Sequence, residues 1–351
     1  MKNFNICLEL SILIPCYNSE KTLNRLFSSI ARQKYPSKYL KIIVVNDGST
    51  DTTSEILFKW KEKLNNYSFT IIEQKNQGIA QTRETLIENV DTKWFTFIDA
   101  DDYFQKNAFY NFCKASDYES VDIIVGKTWR QRNKERHNWW LSNSLSKNIK
   151  KYLKNNLFFI WNKVYKTSFI REVNFHFIKG ANMMEDQFFF SAIASKIKKI
   201  GITRHYTYTF VQSKNSFSSV VDYSKYEDRF RQILVNFDAT LKNILNDRKY
   251  VQLSKDEVKI IDSIVYIYIM NIFLLYVLFP AWYNFPRSVQ AQLSFLFYNE
   301  KRQKVNEILN KYNIEIRAPY GWWKATTYFL LRLKKRYDLS KYLIYVKKQA
   351  I

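Results

Sequence analysis

The chain has 351 residues, room for about two domains at ~150 residues each. Hydrophobic residues make up 46% and charged residues 25%, which excludes a disordered chain and leaves enough apolar side chain for real cores. A formal net charge of +23 favours polyanionic company: an anionic membrane face, nucleic acid, or a phosphate-bearing or acidic glycan.

Three cysteines, Cys7, Cys16 and Cys113, are too few and too irregularly spaced for a disulfide framework or a zinc site, and they fit a reducing compartment. Glu9 interrupts the amino-terminal apolar run before it can form a signal-peptide core, so a cytoplasmic protein is expected.

Residues 10–14 read as an apolar strand that stops at Pro15, which has no N–H for a central ladder. Leu23, Leu26, Phe27 and Ile30 follow at helical spacing. Residues 41–45 make a second buried strand, after which Asp51 is placed to cap a helix running toward Leu64. Residues 69–72 form a third strand, and Gly78 allows a tight turn into a helix containing Ile79, Leu86 and Ile87. Residues 94–98 are a fourth strand and residues 121–125 a fifth. This alternation predicts an α/β domain: a mainly parallel sheet with helices on both faces. Ligands of such sheets bind beyond the carboxyl ends of the strands. Pro15-Cys16-Tyr17-Asn18, Asn46-Asp47-Gly48-Ser49 and Asp99-Ala100-Asp101-Asp102 each follow a strand, so a single site is expected to gather them.

Beyond residue 220 the pattern turns helical, giving an expected division into residues 1–220 and 221–351. Residues 264–279 are nearly all apolar, but the run is shorter than the roughly 20 residues of a spanning helix and reads as a buried one.

The chemistry starts at Asp99, Asp101 and Asp102, where an apolar strand opens directly into carboxylates. Hard cations such as Mg²⁺ and Mn²⁺ take such oxygen ligands together with substrate phosphates, although a plain turn also uses Asp. Glu185-Asp186 precedes an aromatic run and suits a helix amino terminus, where carboxylates meet the positive end of the dipole.

Four motifs in register then carry a resemblance. Ser11-Ile12-Leu13-Ile14-Pro15-Cys16-Tyr17-Asn18, Val44-Val45-Asn46-Asp47-Gly48-Ser49-Thr50-Asp51, Asn76-Gln77-Gly78 and Asp99-Ala100-Asp101-Asp102 resemble family 2 glycosyltransferases of the Rossmann-like GT-A fold. The resemblance implies a donor site for a nucleotide-sugar. In it Pro15, Tyr17 and Asn18 shape the base pocket, Asp47 binds the nucleobase, and Asn76 and Gly78 form a donor loop. Asp99, with Ala100 beside it, would hold ribose or sugar hydroxyls. Asp101 and Asp102 would bind the Mn²⁺ or Mg²⁺ that bridges the diphosphate. Arg83 would pair with the acidic cluster or approach the phosphates, though the family more often has Arg-Asn where this chain has Arg83-Glu84. Asp186 takes the role of catalytic base with Glu185 beside it, and Trp161, Asn162 and Lys163 lie on the acceptor side. Lys214, Ser216 and Ser218 belong to a loop that closes on the phosphates. His205 either completes the metal shell or is a surface or packing residue.

Residues 127–154 are rich in Lys and Arg, with Glu135 as the one acid and Trp129, Trp139 and Trp140 interleaved, which suits an anionic acceptor. Residues 324–348 combine basic and aromatic residues in a manner suited to an anionic membrane surface or a partner subunit. The expected function is therefore an inverting transfer from a nucleotide-sugar, taken as a UDP-sugar. Its acceptor would be a glycan or lipid-linked molecule of bacterial surface polysaccharide synthesis, reached peripherally at the inner face of the membrane. An oligomer is allowed and no nucleic-acid partner is expected. The alternatives are a nucleotidyltransferase, for which the first strand end lacks a Gly-rich phosphate loop, and a binding protein of the same fold without turnover.

Overall fold

A computed structural model describes residues 8–115, 118–132, 135–138, 159–194, 196–212, 226–245, 303–305, 307–308 and 310–312. The chain divides into two compact units, residues 1–219 and 220–351.

The first unit begins with Leu10–Cys16 (β1), Leu23–Ala31 (α1), Leu40–Asp47 (β2), Thr53–Lys63 (α2), Ser68–Gln74 (β3), Ile79–Glu88 (α3) and Trp94–Phe97 (β4). It continues with Tyr103–Phe104 (β5), Ala108–Cys113 (α4), Ile123–Arg132 (β6), Glu135–Asn138 (β7) and Lys163–Lys166 (β8). Thr167–Val173 (α5), Glu185–Ala194 (α6) and Ile200–Val211 (β9) complete it.

These strands form one nine-stranded sheet in the order β3-β2-β1-β4-β8-β6-β9-β5, with β7 paired to β6. The four strands β3, β2, β1 and β4 are all parallel; β2, β1 and β4 are near-continuous apolar runs because both their faces are covered, whereas β3 at the sheet edge is only partly buried. β1 is buried at every position. Pro15 is tolerated there because pairing with β4 ends at Leu13 opposite Phe97, so its missing donor falls past the neighbouring strand. Beyond β4 the sheet is mixed. β8 runs antiparallel to both β4 and β6, whereas β9 runs parallel to β6. The expected fifth strand is thus separated from β4 by the four-residue β8, and the sheet is mixed rather than mainly parallel.

Helix α1 buries Leu23, Leu26, Phe27 and Ile30, as their spacing demands. Asp51 Oδ1 accepts the Thr53 amide (3.0 Å) and so caps α2. Two aromatic groups anchor the sheet. Phe27 packs on Trp60 and Phe69, with ring centroids 5.7 and 5.4 Å apart. On the other side Phe97 and Tyr165, with Phe95 packed on both, meet Phe189 of α6, which also stacks on Phe177 and touches Phe175. Such ring pairs contribute about 0.5–1.5 kcal/mol each beyond their buried area.

In the second unit, Tyr226–Leu245 (α7) buries Phe230, Ile233, Phe237 and Leu241 along one stripe. Val305 is also buried, and Lys311 pairs with Asp238 at 2.9 Å. Among the described residues no helix is long and apolar enough to cross a membrane. Residues 264–279 and 324–348, and the basic stretch from 139 to 154, lie outside the described residues.

Candidate active site

The ends of β1, β2 and β4 carry three loops, and hydrogen bonds tie the first two together. Asn18, at φ 46°, accepts the Thr50 amide (2.8 Å) while its own amide donates to Ser49 Oγ (2.9 Å). Tyr17 stays 52% exposed beside it, with an aromatic face open to solvent.

Asp47 is only 3% exposed. Its Oδ1 accepts Gln74 Nε2 (2.7 Å) and the Gln77 amide (2.8 Å), and its Oδ2 accepts the Gly78 amide (2.8 Å). Three of roughly four acceptor positions of the carboxylate are therefore filled, two by the 76–78 loop, which they hold in place, and one by Gln74 at the end of β3. Close packing dictates both glycines there. A Cβ on Gly48 (φ +68°) would come within 2.7 Å of the Asn76 amide nitrogen, and one on Gly78 (φ +86°) would collide with the Asn182 side chain. Asn182 Oδ1 in turn accepts the Ala80 amide (3.1 Å), satisfying a free donor at the start of α3.

Arg83 ties the halves of the site together. It is buried in α3, with Nη1 2.5 Å from Glu185 Oε1 and Nη2 3.1 Å from Asp99 Oδ1. Burial works against its charge, but Glu185, Asp99 and Asp186 outweigh that and raise its proton affinity. Its guanidinium lies 6.0 Å from the Phe97 ring centroid. Of the two roles expected for Arg83, the ion pair is the one seen. The neighbouring Glu84 accepts the Phe177 amide (2.8 Å) and contacts His176 Nδ1 (2.7 Å), so the family's usual Asn is replaced here by a residue that holds the segment leading to α6.

Asp99, Asp101 and Asp102 offer ligand oxygens within 4.8 Å of one another. Burial, followed by Asp99, raises the Asp101 carboxyl to about 6. Asp102 is raised well above the usual range by burial, then by Asp101 and Asp99. Its Oδ2 receives the Tyr208 hydroxyl (2.5 Å) and its Oδ1 the Val211 amide (2.7 Å). Arg25 reaches the Asp101 carbonyl oxygen rather than its carboxylate. Crowded carboxylates that resist ionisation together are the donor set a divalent cation relieves, so these residues fit the metal. Asp99 and Asp101 present the more open oxygens, whereas Asp102 is turned inward.

His205 is not part of this group. It is exposed on β9, and its proton affinity is lowered by partial burial and by Lys114 and Lys127. Cationic neighbours make it a poor match for the expected metal shell, and the surface alternative is the one the structure favours.

Asp186 lies in the first turn of α6, where its Oδ1 accepts the Gln187 amide (2.8 Å). Burial, then Glu185, raises its carboxyl to about 8. Glu185 is likewise raised by burial, against the pull of Arg83. The three residues expected on the acceptor side are all buried. Trp161 is buried, stacked on Tyr208 at 4.8 Å and 8°, and so backs the residue that holds Asp102. Asn162, at φ 59°, donates to Gly126 O (2.6 Å) and Thr128 Oγ1 (2.5 Å) and accepts from Thr207 Oγ1 (2.5 Å), clamping β6 to β9. Lys163 is 4% exposed, and burial lowers its ammonium to about 7 despite Asp186. Lys214, Ser216 and Ser218 lie outside the described residues.

Tyr208 and Asn182 are the contributors that sequence reading missed. Nothing local marks them: Tyr208 meets Asp102 across 106 residues and Asn182 meets Ala80 across 102.

Residues 11–179 match the family Glycosyl transferase family 2. Over those residues the chain is similar to family 2 glycosyltransferases. It is 33% identical over 184 residues to a processive diacylglycerol beta-glycosyltransferase of Mycoplasma genitalium, covering 48% of this chain and 53% of that protein. It is 24% identical over 250 residues to the poly(ribitol-phosphate) beta-N-acetylglucosaminyltransferase TarS of Staphylococcus aureus, covering 69% of this chain and 43% of the relative. The chain thus spans about half the length of the curated relatives it matches. Residues 1–349 of TarS, crystallised with UDP-GlcNAc, superpose with a TM-score of 0.56 at 16% identity, over 87% of this chain and 91% of that one. At that identity the likeness establishes the fold: the glycosyltransferase domain has the mixed α/β GT-A sheet.

Proposed function

We propose that the protein is an inverting glycosyltransferase that moves a sugar from a UDP-sugar to a glycan or lipid-linked acceptor in bacterial surface polysaccharide synthesis. One observation carries the reading. Arg83 joins Asp99 on the donor side to Glu185, the neighbour of Asp186, so donor-side and base-side carboxylates belong to one constellation.

In this mechanism Asp186 accepts the proton of an acceptor hydroxyl as its oxygen attacks the anomeric carbon, and the bond from that carbon to the diphosphate breaks. Attack opposite the leaving group inverts the configuration. Asp47 fixes the 76–78 loop against the nucleotide and keeps a lone pair for the base. Arg83 holds Asp99 and Glu185 at fixed separation, which spares the site reorganisation during the step. Mn²⁺ or Mg²⁺, held by Asp101 and Asp99 with Asp102 behind them, would neutralise the charge gained by the leaving diphosphate. The net charge of +23 supports an anionic acceptor and peripheral contact with the inner face of the membrane, with residues 221–351 as the acceptor, membrane or oligomer unit.

The test is UDP release from UDP-glucose and UDP-N-acetylglucosamine with Mn²⁺, using diacylglycerol vesicles and poly(ribitol phosphate) as acceptors. Asp186→Asn should lower kcat by about 10²–10⁴-fold while a donor-induced melting shift persists. Wild type and Asp186→Asn both indistinguishable from a protein-free blank would sink the proposal.

A further inference from the structure

We propose that Tyr208 is a positioning residue of the cation site: its hydroxyl pins both ends of the turn from Asp99 to Asp102 and takes Asp102 out of the ligand set. The inference rests on that acidic turn being the cation site of the proposed transferase.

The turn is closed by the Asp102 amide, which donates to the Asp99 carbonyl oxygen (3.0 Å). Tyr208 Oη stands across that closure. It donates to Asp102 Oδ2 (2.5 Å) and accepts the Asp99 amide at a longer 3.4 Å, so one oxygen touches the first and the last residue of the turn. Asp102 Oδ1 is engaged as well, by the Val211 amide (2.7 Å). With both oxygens taken and an exposure of 0%, Asp102 has no face to offer a cation that keeps waters and phosphates in its shell. Asp99 and Asp101 remain partly exposed. Arg25 holds the turn from α1 through the Asp101 carbonyl oxygen, which leaves the Asp101 carboxylate to the site.

Packing fixes where the hydroxyl stands. Tyr208 is 1% exposed on β9 and lies opposite Phe104 of β5, the strand that starts directly after the turn. Phe104 also meets the Tyr208 ring edge-on, at 6.3 Å and 87°. Trp161 lies flat against the same ring at 4.8 Å and is stacked in turn on Phe159 and Phe210. A side chain locked by its neighbours in this way sets the geometry of whatever it hydrogen-bonds.

A brace and a ligand respond oppositely to one substitution. Tyr208→Phe keeps every carboxylate and removes only the hydroxyl. If Asp102 were a ligand, releasing it from the phenol would leave Mn²⁺ binding unchanged or tighter. As a brace, Tyr208 should lose about 10–100-fold in Mn²⁺ affinity on this change, read by electron paramagnetic resonance with UDP present. UDP affinity in EDTA should stay at the wild-type value, because the Asp47 loop is untouched. Unchanged or tighter Mn²⁺ binding, or an equal loss of UDP affinity in EDTA, overturns the proposal. Asp102→Asn preserves a partner for both Tyr208 and Val211, so it should weaken Mn²⁺ binding far less than Asp101→Asn does; equal losses refute the brace. A last measurement needs no metal. Hydrogen exchange in EDTA should quicken at the Asp99 and Val211 amides in Tyr208→Phe, and unchanged rates there count against the role. Wild-type protein that binds no Mn²⁺ would sink the metal reading instead, with the exchange rates still deciding what Tyr208 does.

Discussion

Arg83 and Gly78 set the tolerances of the site at the scale of single residues. Removing the guanidinium leaves the buried Glu185 and the partly exposed Asp99 without their counter-charge, and for Glu185 this is the situation in which breaking a buried pair costs about 3–5 kcal/mol. Arg83→Gln should therefore lower the urea midpoint sharply. Arg83→Lys should recover little, because one ammonium cannot span two carboxylates as the fork does. Gly78→Ala forces a side chain into φ +86° against Asn182, and a loss of about 1–3 kcal/mol is expected with weaker UDP binding by calorimetry. The motif residues Asp47, Gly78, Asp99 and Asp186 are legible because each follows a strand or opens a helix. Their partners are not: Asn182 could be singled out only by its neighbourhood to Glu185, with no sign that it would dock on α3.

Among the elements, α6 has the tightest requirement, since its first turn presents Glu185 and Asp186 while Phe188, Phe189 and Phe190 follow directly and are buried. Phe189 is fully buried between Phe97, Tyr165, Phe175 and Phe177. Phe189→Ala should cost about 3–5 kcal/mol in chemical unfolding, and kcat should fall more than donor KM rises as Asp186 loses its seat. The parallel strands β1 to β4 and their helices can be read from apolar runs and periodicity, because β1, β2 and β4 are covered on both faces. β8 cannot. Four residues running directly into α5 give no period, and only pairing with β4 on one side and β6 on the other makes them a strand.

For the whole molecule, buried charge sets how stability responds to pH. Asp186 holds its proton more tightly when folded, up to about 8 against a usual 3.8, so its contribution to stability is complete at low pH and is lost as pH rises through about 8. Asp101, raised to about 6, acts in the same sense. Lys163 acts oppositely, but only above about 7. The melting temperature should therefore fall from about pH 5 to about pH 7, and Asp186→Asn, which mimics the protonated acid, should flatten that slope. A wild-type profile that rises across this range would contradict the burial of these groups. The sequence by itself determined the order of β1 to β4 and the helices among them, the strand-end motifs and the basic charge, because those depend on spacing along the chain. Only the tertiary structure decided that Arg83 bridges Asp99 to Glu185, that Trp161 and Asn162 are interior supports, and that Lys163 is buried against the Phe190 ring. Those contacts depend on which distant segments the mixed sheet brings together, and on how burial then reshapes their charges.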